Sequence, residues 1–125
     1  MSGEAKKVLV LEDEVLVALD IVGMIEDRGF RAMGPYHRAE NALAALETET
    51  PDFAILDVNL GPRATSEPVA RRLDELGVPF AFATGYASTN TLMPGLFSKA
   101  TKIAKPLAEH DLATLLDREM PPARH

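Results

Sequence analysis

Short apolar runs alternate along the chain with longer segments whose apolar positions recur at helical spacing. Lys7-Val8-Leu9-Val10-Leu11 is β-branched and apolar, the pattern of a strand buried on both faces. Val15 to Asp27 is rich in helix formers and ends before Gly29, which suits a C-cap. Arg31 to Gly34 reads as a weaker strand that stops before Pro35. Ala39, Ala42, Leu43 and Leu46 fall at i, i+3, i+4 and i+7, an amphipathic helix stopped by Pro51. Phe53 to Val58 is the third strand. Pro68 suits a first helical turn, Val69, Ala70, Leu73 and Leu76 form the next apolar stripe, and Gly77 follows. Pro79 opens the fourth strand, Phe80 to Thr84. A helix over Leu92 to Ser98 is interrupted by Pro94-Gly95 and is expected to be short or mobile. Lys102 to Ala104 is the fifth strand, closed by Pro106, and Leu112, Leu115, Leu116 and Met120 mark the last helix.

Strands alternating with helices build βαβ units, hence a parallel sheet. Right-handed crossovers wind the helices onto both of its faces, giving a doubly wound α/β fold. In such a sheet the carboxyl ends of the strands carry the chemistry.

A length of 125 residues fits a single domain, with an organised core over about 7–119, a loose leader at Met1–Lys6 and a loose tail from Pro121. Cysteine is absent, which excludes disulfides, zinc–thiolate sites and thiol catalysis. Thirteen basic against 19 acidic residues leave a net charge of −6 with no basic cluster, against nucleic acid as a partner. No uninterrupted apolar run approaches the ~20 residues that span a membrane. The charged start, Met1 to Lys7, is unlike a signal peptide, so the cytoplasm is the expected location.

Four of the predicted strands end in polar residues. Glu12-Asp13-Glu14 follows the first, Asp57 ends the third, Thr84 ends the fourth, and Lys105-Pro106 follows the fifth. Taken singly, each has an ordinary explanation. Acids favour helix N-termini, Asp57 and Thr84-Gly85 suit turns, and Lys105 could be a solvated surface lysine. Together, at the same edge of one sheet, they describe a site. Carboxylates brought close repel one another, and a hard divalent cation such as Mg²⁺, which takes carboxylate, carbonyl and water oxygens, relieves that repulsion. An aspartate at a strand tip can attack phosphorus to give an aspartyl-phosphate. The cation, the Lys105 ammonium, the Thr84 hydroxyl and backbone N–H groups would meet the charge on the phosphoryl oxygens.

The runs Val8-Leu9-Val10-Leu11-Glu12-Asp13-Glu14 and Ile55-Leu56-Asp57-Val58-Asn59-Leu60, with Thr84 and Lys105-Pro106, resemble the receiver domain of two-component response regulators over nearly the whole chain. The resemblance implies a flavodoxin-like sheet in the order 2-1-3-4-5. It implies Mg²⁺ held by Glu12, Asp13, Asp57 and the carbonyl of Asn59, although Asn59 could equally be a turn former. Asp57 would be the phosphoacceptor, served by a sensor histidine kinase or a histidine phosphotransferase. Thr84 would follow the phosphoryl group, Lys105 would pair with it, and Pro106, after a cis bond, would set the turn. The protein would be a cytoplasmic signalling switch or phosphate sink acting on a downstream protein, with only self-directed phosphorylation and dephosphorylation chemistry. Pro79-Phe80-Ala81-Phe82-Ala83-Thr84-Gly85-Tyr86 further resembles the PFxFATGY signature of stand-alone alphaproteobacterial receivers associated with HWE-type kinases.

Some positions depart from the family. Lys102 stands where receivers carry an aromatic switch residue, and Tyr86 is the nearest ring that could replace it. From Val15 to Ile25 the only charge is Asp20. That helix is either deeply buried or offers an apolar side, around Val15 and Leu16, to a kinase. His37, His110 and His125 show no ligand spacing and read as surface residues. Two other functions compete. A degenerate receiver would bind partners without phosphorylation, and a haloacid-dehalogenase-like phosphatase would need a second aspartate where Asn59 stands.

Overall fold

The computed structural model describes residues 5–61, 64–84 and 100–120. Five strands, β1 (Lys7–Leu11), β2 (Arg31–Tyr36), β3 (Phe53–Asp57), β4 (Phe80–Thr84) and β5 (Thr101–Ala104), form one sheet in the order β2-β1-β3-β4-β5. All neighbouring pairs are parallel. The helices described are α1 (Val15–Asp27), α2 (Ala39–Leu46), α3 (Glu67–Leu76) and α4 (Glu109–Glu119). The expected doubly wound α/β architecture and strand order are both present. The segment expected to form an interrupted helix, Leu92 to Ser98, lies outside the described residues.

The period-2 alternation of the strands sorts their side chains into two cores. Leu9, Leu11, Ala54, Leu56 and Phe82 pack with α2 and α3 residues on one face. Val8, Val10, Phe53, Ile55, Ala81, Ala83 and Ile103 pack with α1 and α4 residues on the other. Burial on both faces explains why β1 and β3 are apolar without a break.

Helix ends follow their local chemistry. Past α1, Gly29 takes φ +87° and its N–H bonds to the Glu26 carbonyl at 3.0 Å. Past α3, Gly77 takes φ +74°. At the start of α3 the Thr65 hydroxyl accepts the Glu67 N–H at 3.2 Å, and Pro68 occupies the first turn.

Three strand boundaries differ from expectation: β3 ends at Asp57 rather than Val58, β5 begins at Thr101 rather than Lys102, and β2 departs furthest. β2 does not stop before Pro35 but continues to Tyr36. Its pairing with β1 skips a residue, from Leu9↔Met33 to Leu11↔Tyr36, so the bulge takes up the proline. Because β2 is an edge strand, the missing proline N–H breaks no ladder on a second side.

Deep burial of α1 is also ruled out. Ala18, Ile21 and Ile25 are buried, but Val15, Leu16 and Leu19 are 56%, 78% and 54% exposed. An apolar helix with one face on the sheet leaves the opposite face in water.

Candidate functional site

The alternation that builds the α1/α4 core also builds the site. One step of two beyond Val10, Ile55 and Ile103 come Glu12, Asp57 and Lys105. Each thus projects on the α1/α4 side at the carboxyl end of its strand. Lys105 Nζ lies 3.2 Å from Glu12 Oε1 and 3.4 Å from Asp57 Oδ1. Carboxylate oxygens of Glu12, Asp13 and Asp57 all lie within 4.8 Å of one another. Glu12 is 1% and Asp57 5% exposed, whereas Asp13 faces solvent.

Three acids face one ammonium in a half-dry pocket. Burial, then the Glu12 charge, push the Asp57 carboxyl up from the ordinary 3.8 to about 8, with Lys105 pulling the other way. Burial works to lower Lys105, but the Asp57 and Glu12 charges outweigh it and raise it. Glu12 Oε2 accepts the Glu14 N–H at 3.1 Å. Glu12 Oε1, although close to Lys105, is buried and receives no directed hydrogen bond. A buried acceptor without a donor, in an all-oxygen acidic set, fits a hard divalent cation.

The remaining expected residues are placed as follows. Asn59 sits in an isolated antiparallel bridge with Thr65. The hydrogen bonds around it are made by Leu60 N–H to Ala64 and Ser66 N–H to Val58, so Asn59's own carbonyl is not used in the bridge. Thr84 ends β4, and its carbonyl accepts the Lys105 N–H at 2.8 Å. The Lys105–Pro106 bond is cis. Tyr86 lies outside the described residues. Lys102 is exposed on β5, and its ammonium donates to the Ala100 carbonyl at 3.1 Å, so no ring occupies that position.

Two features escaped the sequence reading. Leu19 extends the exposed stripe of Val15 and Leu16 along α1. Its spacing from them was visible, but Val15, Leu16 and Leu19 are as apolar as the stripe of Ala18, Ile21 and Ile25 that meets the sheet. His37, expected at the surface, is half-buried, with Nδ1 2.8 Å from the Glu12 carbonyl oxygen. Its signal was the strand order, because a residue following β2 lies beside one following β1. His110 is exposed as expected, and His125 lies outside the described residues.

Beside the acids, a cleft of about 310 Å³ runs between α1 and the turn after β5, lined by residues including Glu14, Val17, Asp20, Met24, Lys105 and Leu107.

A sheet in this order with acids at its carboxyl edge defines a class, and the comparisons agree with it. SdrG from Sphingomonas melonis is 31% identical, the match covering 96% of this chain and 99% of that one, with a TM-score of 0.78. The receiver domain of NtrX from Brucella abortus shares the fold at 23% identity, covering 93% of this chain and 99% of that one, with a TM-score of 0.78. Among curated proteins, the transcriptional regulatory protein PdtaR from Mycobacterium tuberculosis is 30% identical over 82 residues, 62% of this chain and 40% of PdtaR. The phyllosphere-induced regulator PhyR from Methylorubrum extorquens is 30% identical over 84 residues, 66% of this chain and 32% of PhyR. The chain thus matches well under half the length of these two relatives. No family model matches it. The chain belongs to the receiver domains of two-component response regulators. Receiver domains are signalling switches, and they bind Mg²⁺ at an acidic pocket. No helix among the described residues is long and apolar enough to cross a membrane.

Proposed function

We propose that this chain is a phosphoacceptor switch in which Asp57 takes a phosphoryl group from the phosphohistidine of a sensor kinase or phosphotransferase. The observation that carries this reading is the buried Asp57 carboxylate beside Glu12, Asp13 and the Lys105 ammonium. Glu12, Asp13, Asp57 and the Asn59 carbonyl would hold Mg²⁺. When bound, the cation supplies positive charge that favours the ionised Asp57 and screens the incoming phosphoryl group. An Asp57 oxygen attacks phosphorus, the P–N bond breaks, and its electron pair returns to the imidazole of the donor. Lys105 and the Thr84 hydroxyl then pair with the phosphoryl oxygens. Hydrolysis of the acyl-phosphate restores the carboxylate. The new charge biases the chain beyond Thr84 and so changes which downstream protein is bound.

The exposed face of Val15, Leu16 and Leu19, on the helix that directly follows Glu12-Asp13-Glu14, is suited to docking the donor protein. The cytoplasm is the compartment in which such a relay would operate.

Amide NMR with Mg²⁺, before and after beryllofluoride, tests the reading. Shifts at Asp57, Thr84 and Lys105 that vanish in Asp57→Ala are the expected result. A silent wild-type spectrum would instead mark a binding module that works without phosphorylation.

A further inference from the structure

We propose that His37 is a positioning residue for the cation site, acting on the peptide link between Glu12 and Asp13. The inference rests on the reading of those two acids as cation ligands. The Glu12 carbonyl can only accept, so the Nδ1 facing it at 2.8 Å carries the proton and donates. On the other side of the same residue, the Glu12 N–H donates to the Tyr36 carbonyl at 2.9 Å. Two consecutive residues at the end of β2 therefore grip both backbone groups of Glu12.

The gripped carbonyl belongs to the planar peptide unit that joins the two acids. Fixing that plane fixes ψ of Glu12 and φ of Asp13 together. The Glu12 side chain has further restraint from burial and from the Glu14 N–H. Asp13 is exposed, so burial gives it no such restraint, and the held peptide plane would keep its Cα–Cβ direction toward the cluster. Loss of the imidazole would free the plane and let the Asp13 carboxylate drift out of the set.

The chain is shaped to deliver His37 to this point. The Leu11↔Tyr36 register sets the residue after Tyr36 beside the residue after Leu11. Just before it, Gly34 takes φ +102°, and a Cβ there would come within 2.8 Å of the Tyr36 nitrogen. Only glycine allows that bend.

The test is a titration of the full chain with Mg²⁺ alone, at one fixed pH, followed by calorimetry or amide shifts. The thermal midpoint without cation is recorded alongside. Three variants separate the hydrogen bond from the bulk of the ring. In His37→Asn the side-chain NH₂ sits the same number of bonds from Cα as Nδ1. In His37→Gln it sits one bond too far, and His37→Leu has no donor. His37→Leu and His37→Gln are expected to weaken Mg²⁺ binding by about tenfold, the lower end for groups that orient ligands, with His37→Asn within about twofold of wild type. Phosphoryl uptake from a small-molecule donor by His37→Leu should return to the wild-type maximal rate at saturating Mg²⁺, because the defect lies in cation affinity. Wild-type affinity in His37→Leu would overturn the proposal. So would a His37→Asn that keeps the thermal midpoint but not the affinity, since a donor at the same reach as Nδ1 would then fail to hold the site in an intact fold. A wild-type protein that binds no Mg²⁺ would overturn the proposed function as well as this inference, and that outcome is distinct from the other two.

Discussion

Helices α1 and α3 lie on opposite faces of one sheet and meet it in the same way, yet their outer surfaces are opposites. The outer side of α3 carries ion pairs between Arg71 and Glu67, 2.8 Å from Nε to Oε2, and between Arg72 and Glu75 at 3.0 Å. The outer side of α1 carries Val15, Leu16 and Leu19. Stability does not require this, since α3 is anchored by Val69, Ala70 and Leu73 just as α1 is by Ala18, Ile21 and Ile25. Inner faces report the fold, and outer faces report what each helix meets. Under the proposed function, the apolar surface left in water on α1 is what a donor protein would cover.

The largest expected effect tests the half of the comparison in which the helices agree. Ile21→Ala and Leu73→Ala should each cost about 2–5 kcal/mol in denaturant unfolding. A much smaller loss in α1 would mean that its inner face is not a true core.

Next comes the acidic site at the start of α1. With Asp57 held up at about 8, the folded protein keeps a proton that an unfolded aspartate loses near its ordinary 3.8. Stability therefore falls as pH rises through that window, and Asp57→Asn should flatten the slope. The same proton competes with the cation. Below about pH 8, Mg²⁺ affinity should tighten by up to about tenfold for each unit of pH gained, read by titration in matched buffers.

The outer faces give the sharper contrast. Leu16→Lys should slow phosphotransfer from a kinase that serves the wild type by about tenfold, as expected for a central apolar contact. Uptake from a small-molecule donor and the thermal midpoint should stay unchanged. Equal transfer rates would mean that the outer face of α1 does not meet the donor. The smallest effect belongs to α3, where Arg71→Ala should lower stability by no more than about 0.5 kcal/mol and leave phosphotransfer alone.

The same contrast explains what was legible in the sequence. The ranges of β1 and β4 and of α1 follow directly from runs of apolar residues and from Gly29, because burial on two faces or a left-handed cap leaves a strong local mark. The pairing of Glu12, Asp57 and Lys105 follows from topology, since strand ends in a parallel sheet must share an edge. The extension of β2 past Pro35 was hidden, because only its place at the sheet edge makes the proline acceptable. The outward stripe of α1 was hidden because Val15, Leu16 and Leu19 are as apolar as the buried Ala18, Ile21 and Ile25. For His37 the strand order set its place beside the residue after β1, but its partner is a backbone carbonyl, which no side-chain pattern marks.

The edge position of β5 has a consequence in time. Among the described residues this four-residue strand pairs with β4 alone. Lys105 follows it directly, tied back by its N–H to the Thr84 carbonyl. Peeling β5 from β4 would carry the ammonium away from the acids while leaving the other four strands paired. Such sub-global openings are the least costly a sheet undergoes, and they occur over microseconds to seconds rather than at side-chain speed. Amide exchange should accordingly be faster in β5 than in β1 or β3. Each such opening would remove the charge beside Asp57 together with its backbone anchor at Thr84.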